Sequence, residues 1–156
     1  MQLSHFTDYS LRVLMYLGFR GDERVTIAEI ADAYDVSRTY LMKVVSHLAA
    51  RGYVHTVRGN GGGLELSRDA ALINLGEVVR ECEPNFDIVE CLGETHSDCP
   101  LFPECVLRSL LREATRNFLA TLERHSLRDL IQNRSLGAKL ITVHPPAARA
   151  RRAAPP

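Results

Sequence analysis

The sequence predicts a mostly α-helical fold in which a helix-turn-helix is followed by a β-hairpin wing, with a cysteine-bearing loop and one long helix beyond. Three observations carry that expectation. Two short amphipathic segments meet through a tight turn at Asp35 and Val36. Two β-rich runs flank a turn that is almost all glycine, Gly59 to Gly63. An apolar stripe, Leu107, Leu110, Leu111, Ala114, Phe118 and Leu122, recurs at helical spacing. With 156 residues, 46% of them hydrophobic, the chain can bury one ordinary core.

The elements follow in order. From Thr7 to Arg20, Leu11, Leu14, Met15 and Gly18 share one face, and Thr7 and Asp8 suit a helix N-terminus by capping and by dipole sign. Thr26 caps a second segment, IAEIADAY, with Ile27, Ile30 and Ala31 on one side. Ser37 caps a third that runs to about Arg51, buries Leu41, Val44, Val45 and Leu48, and stops at Gly52. YVHTVRGNGGGLEL reads as the hairpin. Its glycines also evoke a phosphate cradle, but no Lys-Ser or Lys-Thr pair follows and no helix begins there. Asn74 with Glu77 resembles a capping box before LGEVVREC, which ends ahead of Pro84. Pro103 suits the first position of the long helix, which extends to about Arg124. A helix of about six turns has little to pack on in so small a domain, so its stripe points to the same helix of a second chain.

Charge is balanced, 19 basic against 19 acidic residues, but it is segregated. Between Val36 and Leu64 stand Arg38, Lys43, Arg51 and Arg58 with two histidines and no acid, the pattern of a phosphate-facing surface. Ser37, Arg38, Thr39, Tyr40 and Lys43 occupy the first turns of the third segment, where a helix in a major groove meets bases and phosphates, and Arg58 and Asn60 lie at the wing tip, in reach of the adjacent minor groove. Order and charge together favour double-stranded DNA as partner over a merely solvated face.

From Glu81 to Glu104 the chain carries seven acids, no Lys or Arg, and three of its four cysteines, with the fourth, Cys105, immediately after. Cys82, at the end of a helix, reads as a small buried hydrophobe. Cys91, Cys99 and Cys105 lie in a loop too long to be ordered by itself, and three soft thiolates suit an iron-sulfur cluster or zinc. The spacing has no CxxC pair, so it is neither a zinc-ribbon nor a ferredoxin signature. No apolar run approaches the roughly 20 residues of a membrane-spanning helix, and MQLSHFTDYS has no leader pattern. The expectation is a cytoplasmic protein with no membrane partner. No nucleophile-base pair has recognisable spacing, which argues against an enzyme.

The start LSHFTDYSLRVLMYL, the segment RTYLMKVVSHLAARGYVHTVRGNGGGLEL and the loop ending CPLFPEC together resemble the winged-helix iron-sulfur repressors, in particular their nitric-oxide-sensing members, over residues 1–135. The cluster-assembly regulators of that superfamily are similar too, but carry a histidine ligand two residues past the last cysteine, where this chain has Leu107. The resemblance implies that Cys91, Cys99 and Cys105 hold a cluster, 4Fe-4S ahead of 2Fe-2S, with Asp8 of a second subunit as fourth ligand and Arg12 one turn on to hold its carboxylate. His5 and His96 compete for that position. It implies a homodimeric repressor, released from its operator when nitric oxide reaches the cluster. The alternatives are a regulator sensing iron-sulfur status or oxidation, and a zinc-stabilised interaction module using His96.

The expected organisation is thus mostly α: a winged helix-turn-helix DNA-binding domain with a β-hairpin wing over 1–82, a cluster-binding loop over 83–105, a long dimerisation helix with a short helix after it over 106–135, and a tail without fixed structure over 136–156.

Overall fold

The computed structural model describes residues 2–59, 61–93 and 98–143. Seven helices and one hairpin follow in order: α1 (His5–Arg20), α2 (Ile27–Tyr34), α3 (Arg38–Ala50), β1 (Val54–Val57), β2 (Gly63–Leu66), α4 (Leu75–Cys82), α5 (Val106–Glu123), α6 (Leu127–Ile131) and α7 (Arg134–Val143), with single 3-10 turns at Ala70–Leu72 and Glu90–Leu92. The mostly α class and the hairpin wing are as the sequence predicts.

Local chemistry sets most of the ends. The Thr26 hydroxyl accepts from Glu29 N–H while the Glu29 carboxylate accepts from Thr26 N–H, closing a capping box on α2. Asp35 then takes the left-handed conformation, φ 51°, and makes the tight turn into α3. Ser37 occupies the N-cap position of α3 without a side-chain capping bond. Asn74 accepts from Glu77 N–H at the start of α4. In the wing, β1 and β2 are antiparallel with Val54 opposite Leu66 and Val57 opposite Gly63. A bridge between Val25 and Leu64 ties the hairpin to the α1–α2 connection.

The core is a single apolar cluster. Val13, Leu14 and Leu17 of α1, Ile30 of α2, Leu41, Val44 and Leu48 of α3, Leu64 of β2, and Val78 of α4 are all essentially inaccessible. Each of these fully buried aliphatic side chains contributes about 1.5–3 kcal/mol relative to an exposed one.

Four boundaries differ from the sequence-based expectation. The first helix begins at His5 with Ser4 as its cap, two residues ahead of Thr7, because the Ser4 hydroxyl accepts from Thr7 N–H at 3.2 Å. The long helix begins at Val106 with Cys105 at its N-cap; Pro103 falls in the turn before it. Leu127, on α6, belongs to the core of the winged unit: its N–H donates to Ile73 O at 2.8 Å and Leu75 N–H donates to His125 O at 3.0 Å. The unit built on 1–82 is therefore completed by a segment more than 40 residues further along. Lastly, α7 occupies 134–143, where structure was not expected beyond 135. Gly137 lets it approach α1 closely, since a Cβ there would stand 2.6 Å from the Phe19 ring. Residues 144–156 lie outside the described residues.

The long helix joins the winged unit at one end only. Near its C-terminus Leu119 is buried, Glu123 lies against Gly76 of α4, and Arg80 Nε donates to Glu123 at 3.0 Å. Near its N-terminus Val106, Leu107 and Leu110 are 72%, 61% and 56% exposed in the single chain. The expected stripe is there, and its first half is uncovered.

Candidate functional site

Two surfaces bring the predicted residues together. The first is the outer face of α3. Ser37, Arg38, Thr39 and Lys43 are exposed, and so is Arg58 beside the wing turn. Asn60 lies outside the described residues. Tyr40 differs from expectation: it is half-buried, its ring set edge-on against Tyr9 of α1 at 5.7 Å between centroids, because its position on the helix points back toward α1. Met42, 58% exposed, stands on the outer face beside Lys43, and sequence reasoning missed it. The signal was available, since Met42 falls four residues after Arg38 and three after Thr39, on one helical face. The Arg38 guanidinium lies 3.5 Å from Asp32, both well exposed. Such a pair is worth about 0–1 kcal/mol, small enough for a phosphate to displace it.

The second surface is the cysteine loop, which the structure pins to α5. Cys91 lies in the 3-10 turn and is half-buried; Cys99 is exposed; Cys105, half-buried, caps α5. No disulfide joins any of the four cysteines. Arg108, one turn into α5, donates from Nε to the Cys91 carbonyl at 2.7 Å, and its guanidinium lies 4.9 Å over the Phe102 ring. Phe102 N–H in turn donates to Cys99 O at 2.9 Å. Arg108 thus ties the Cys91 backbone, and through the Phe102 ring the turn at Cys99, to the first turn of α5. Sequence reasoning did not single it out. Cys82 is buried, as expected, and burial pushes its thiol pKa up, which keeps it protonated and a poor metal ligand.

Cys91 and Cys99 line one open concavity with Asn85, Asp87, Ile88, Val89 and Glu90. Among the described residues no group of three His, Cys, Asp or Glu side chains converges as a metal shell, and His96 lies outside the described residues. Asp8 faces elsewhere, into an apolar groove with Leu11, Met15, Phe19, Tyr34 and Leu140. Arg12 grips it with both ends of its fork, Nε to Oδ1 at 3.1 Å and a terminal nitrogen to Oδ2 at 2.9 Å. His5 is exposed on the first turn and stacks toward Tyr9. Within one chain, then, Asp8 and the three cysteines are not brought together. In chemistry the donor set fits a thiolate-bound iron cluster: three soft sulfurs carried on one pinned loop.

A helix-turn-helix with an exposed basic reading face and a β wing beside it defines a winged-helix DNA-binding transcriptional regulator. Residues 3–133 match the Rrf2 family, described as iron-dependent transcriptional regulator, and the chain belongs to that family. It is 45% identical over 142 residues to the HTH-type transcriptional regulator NsrR of Bacillus subtilis, spanning 90% of this chain and 97% of the relative. The NsrR of Geobacillus kaustophilus is 43% identical over 136 residues, spanning 86% and 92%. Among solved structures, CymR, the global cysteine regulator of B. subtilis, superposes with TM-score 0.68 at 25% identity over 84% of this chain and 96% of that one. The IscR of T. potens superposes with TM-score 0.66 at 22% identity, covering 85% and 88%, a likeness of fold.

Proposed function

We propose that this chain is a cytoplasmic, homodimeric repressor that binds operator DNA and releases it in response to nitric oxide, sensed at an iron-sulfur cluster held by Cys91, Cys99 and Cys105 with Asp8 of the partner subunit. The observation that carries the reading is the loop itself: three thiols on a segment that Arg108 fastens to α5, beside a helix whose first half is apolar and uncovered. The NsrR relatives and the family description, iron-dependent transcriptional regulator, support it.

When bound, the cluster supplies iron that a small diatomic can reach, above all at the position held by a carboxylate, which is a harder and weaker partner for iron than thiolate. The 4Fe-4S form suits three sulfurs and one carboxylate; 2Fe-2S is the other form these ligands can serve. The protein's own groups do the rest. Arg12 holds the Asp8 carboxylate in one orientation, and Arg108 holds the loop against α5. The apolar face of α5 pairs two copies so that their α3 helices are spaced about one DNA turn, 34–36 Å, apart. With the cluster bound, Asp8 of the partner subunit would tie the loop to the first helix across the dimer; without that tie the two reading helices would no longer be held in register with their half-sites, and genes for nitric oxide detoxification would be expressed.

The deciding experiment is anaerobic purification, assay of iron and acid-labile sulfide, and operator binding before and after a nitric oxide titration. Release by nitric oxide is expected at roughly 5- to 150-fold weaker affinity, the range of an ordinary coupling energy. Release by oxygen or chelation alone would instead point to a sensor of cluster status or oxidation. Colourless protein containing zinc would overturn the reading.

Two further outcomes are expected. Arg58→Ala weakens binding to all sequences alike and lowers the slope of log K against log salt by about 1, as for one lost phosphate contact. Leu107→Ser with Leu110→Ser leaves the single-chain core intact and shifts sedimentation toward monomer; an unchanged dimer would show that α5 is not the interface.

A further inference from the structure

The end of α4 is bonded to two helices at once, at the point where the chain enters the cysteine loop. Glu83 reaches forward to α1: its carboxylate accepts from Ser4 N–H at 3.0 Å, from the Ser4 hydroxyl at 3.0 Å, and from the Thr7 hydroxyl. A carboxylate there also complements the positive end of the α1 dipole. Two residues earlier, Glu81 reaches to α3. Its backbone carbonyl meets His47 Nε2 at 3.1 Å, and its carboxylate stands 3.7 Å from Arg51 at the C-cap of α3. The His47 ring is held edge-on against Phe6 of α1, 5.2 Å between centroids.

His47 is on the helix that reads DNA but not at its reading end, being nine residues, about 13 Å of helix, beyond Arg38. It is half-buried between α1 and α4. Movement of the loop entrance therefore reaches α3 through a hydrogen bond whose useful range is a few tenths of an ångström.

We infer that His47 is a positioning residue that couples the state of the cysteine loop to the setting of the recognition helix, through its bond to the Glu81 carbonyl. This rests on the reading that the ligation state of the loop governs DNA affinity. His47 need touch neither DNA nor the cluster ligands. Its contribution is to the ratio of affinities in the two states rather than to either affinity alone.

The test compares wild type, His47→Phe and His47→Gln in full-length protein prepared anaerobically. The Phe variant keeps a ring against Phe6 and removes the nitrogen; the Gln variant keeps an N–H donor. Affinity for DNA selected in vitro is measured before and after iron chelation. In wild type the two affinities are expected to differ roughly 5- to 150-fold, in His47→Phe to agree within about twofold, and in His47→Gln to differ as in wild type. Amide hydrogen exchange of 38–50 in the anaerobic protein provides a readout that needs no DNA. Replacing the three loop cysteines by serine is expected to alter it in wild type and leave it unaltered in His47→Phe. A His47→Phe protein that loses affinity equally in both states, its ratio intact, has lost only structure and overturns the inference. Should the Phe variant fail to fold, loss of the ratio in a folded His47→Gln protein overturns it equally. A wild-type ratio of one overturns the functional reading and this inference together, whereas a wild-type ratio preserved in His47→Phe overturns this inference alone.

Discussion

Leu127→Ala is expected to destabilise the fold by about 2–5 kcal/mol, the cost of emptying a buried leucine site. Leu127 is fully inaccessible and part of the same cluster as Leu14, Leu17 and Ile73, although it follows the long helix and is far from them in sequence. Its neighbour on α1 is Gly18, where an added Cβ would sit 3.8 Å from the Leu127 side chain and 3.1 Å from Ile131. There is thus little slack for the surroundings to collapse into the space left behind. Urea denaturation checks the value, with the midpoint expected to fall and the slope to hold. A loss under about 0.5 kcal/mol, the range of ordinary surface substitutions, would show that α6 does not complete the winged unit. DNA binding should fall only as the folded fraction falls, since Leu127 is remote from the reading face.

Replacing Cys91, Cys99 and Cys105 by serine is expected to abolish iron and sulfide content and to bring operator affinity to that of nitric-oxide-treated wild type, roughly 5- to 150-fold weaker. Serine conserves size but is neither soft nor readily deprotonated, so it cannot replace thiolate on iron. Cys82→Ala is the internal control: that thiol is buried among core residues with its pKa pushed up, and iron content should be unaltered. Asp8→Ala should retain the sulfur ligands and weaken cluster retention or change the rate of reaction with nitric oxide. Unchanged absorption, cluster content and rate in that variant would remove Asp8 from the site. Its Arg12 pair is not a confounding loss of stability, because an exposed i,i+4 pair on a helix is worth only about 0.3–0.5 kcal/mol.

Much of the candidate site could be read before the fold was known. Ser37, Arg38, Thr39 and Lys43 are exposed at the start of α3, as their spacing demands, and the acid-free run from Val36 to Leu64 coincides with the helix and wing that face outward together. The half-burial of Tyr40 is not legible in the sequence, since residue type does not say which way a helical side chain leans, and this one meets Tyr9. Arg108 and Glu83 were passed over because neither belongs to a motif. Their importance lies in meeting the Cys91 carbonyl and the first turn of α1, and such meetings depend on elements far apart in the chain.

What the amino-acid order determined alone is everything written within a few neighbouring residues: the capping box of Thr26 and Glu29, the turn at Asp35, the glycine-rich hairpin, the stripe on α5 and the concentration of cysteines in one acidic stretch. Helix periodicity and turn preference are local energies, so they are legible locally. What only the tertiary structure decided is which distant pieces share a surface. A short helix after α5 was legible, but that α6 closes the winged unit follows from Leu127 filling a site between α1 and the extended segment at Ile73. The helix α7 likewise forms where Gly137 can approach Phe19. Burial against remote partners supplied the free energy that local propensity lacked.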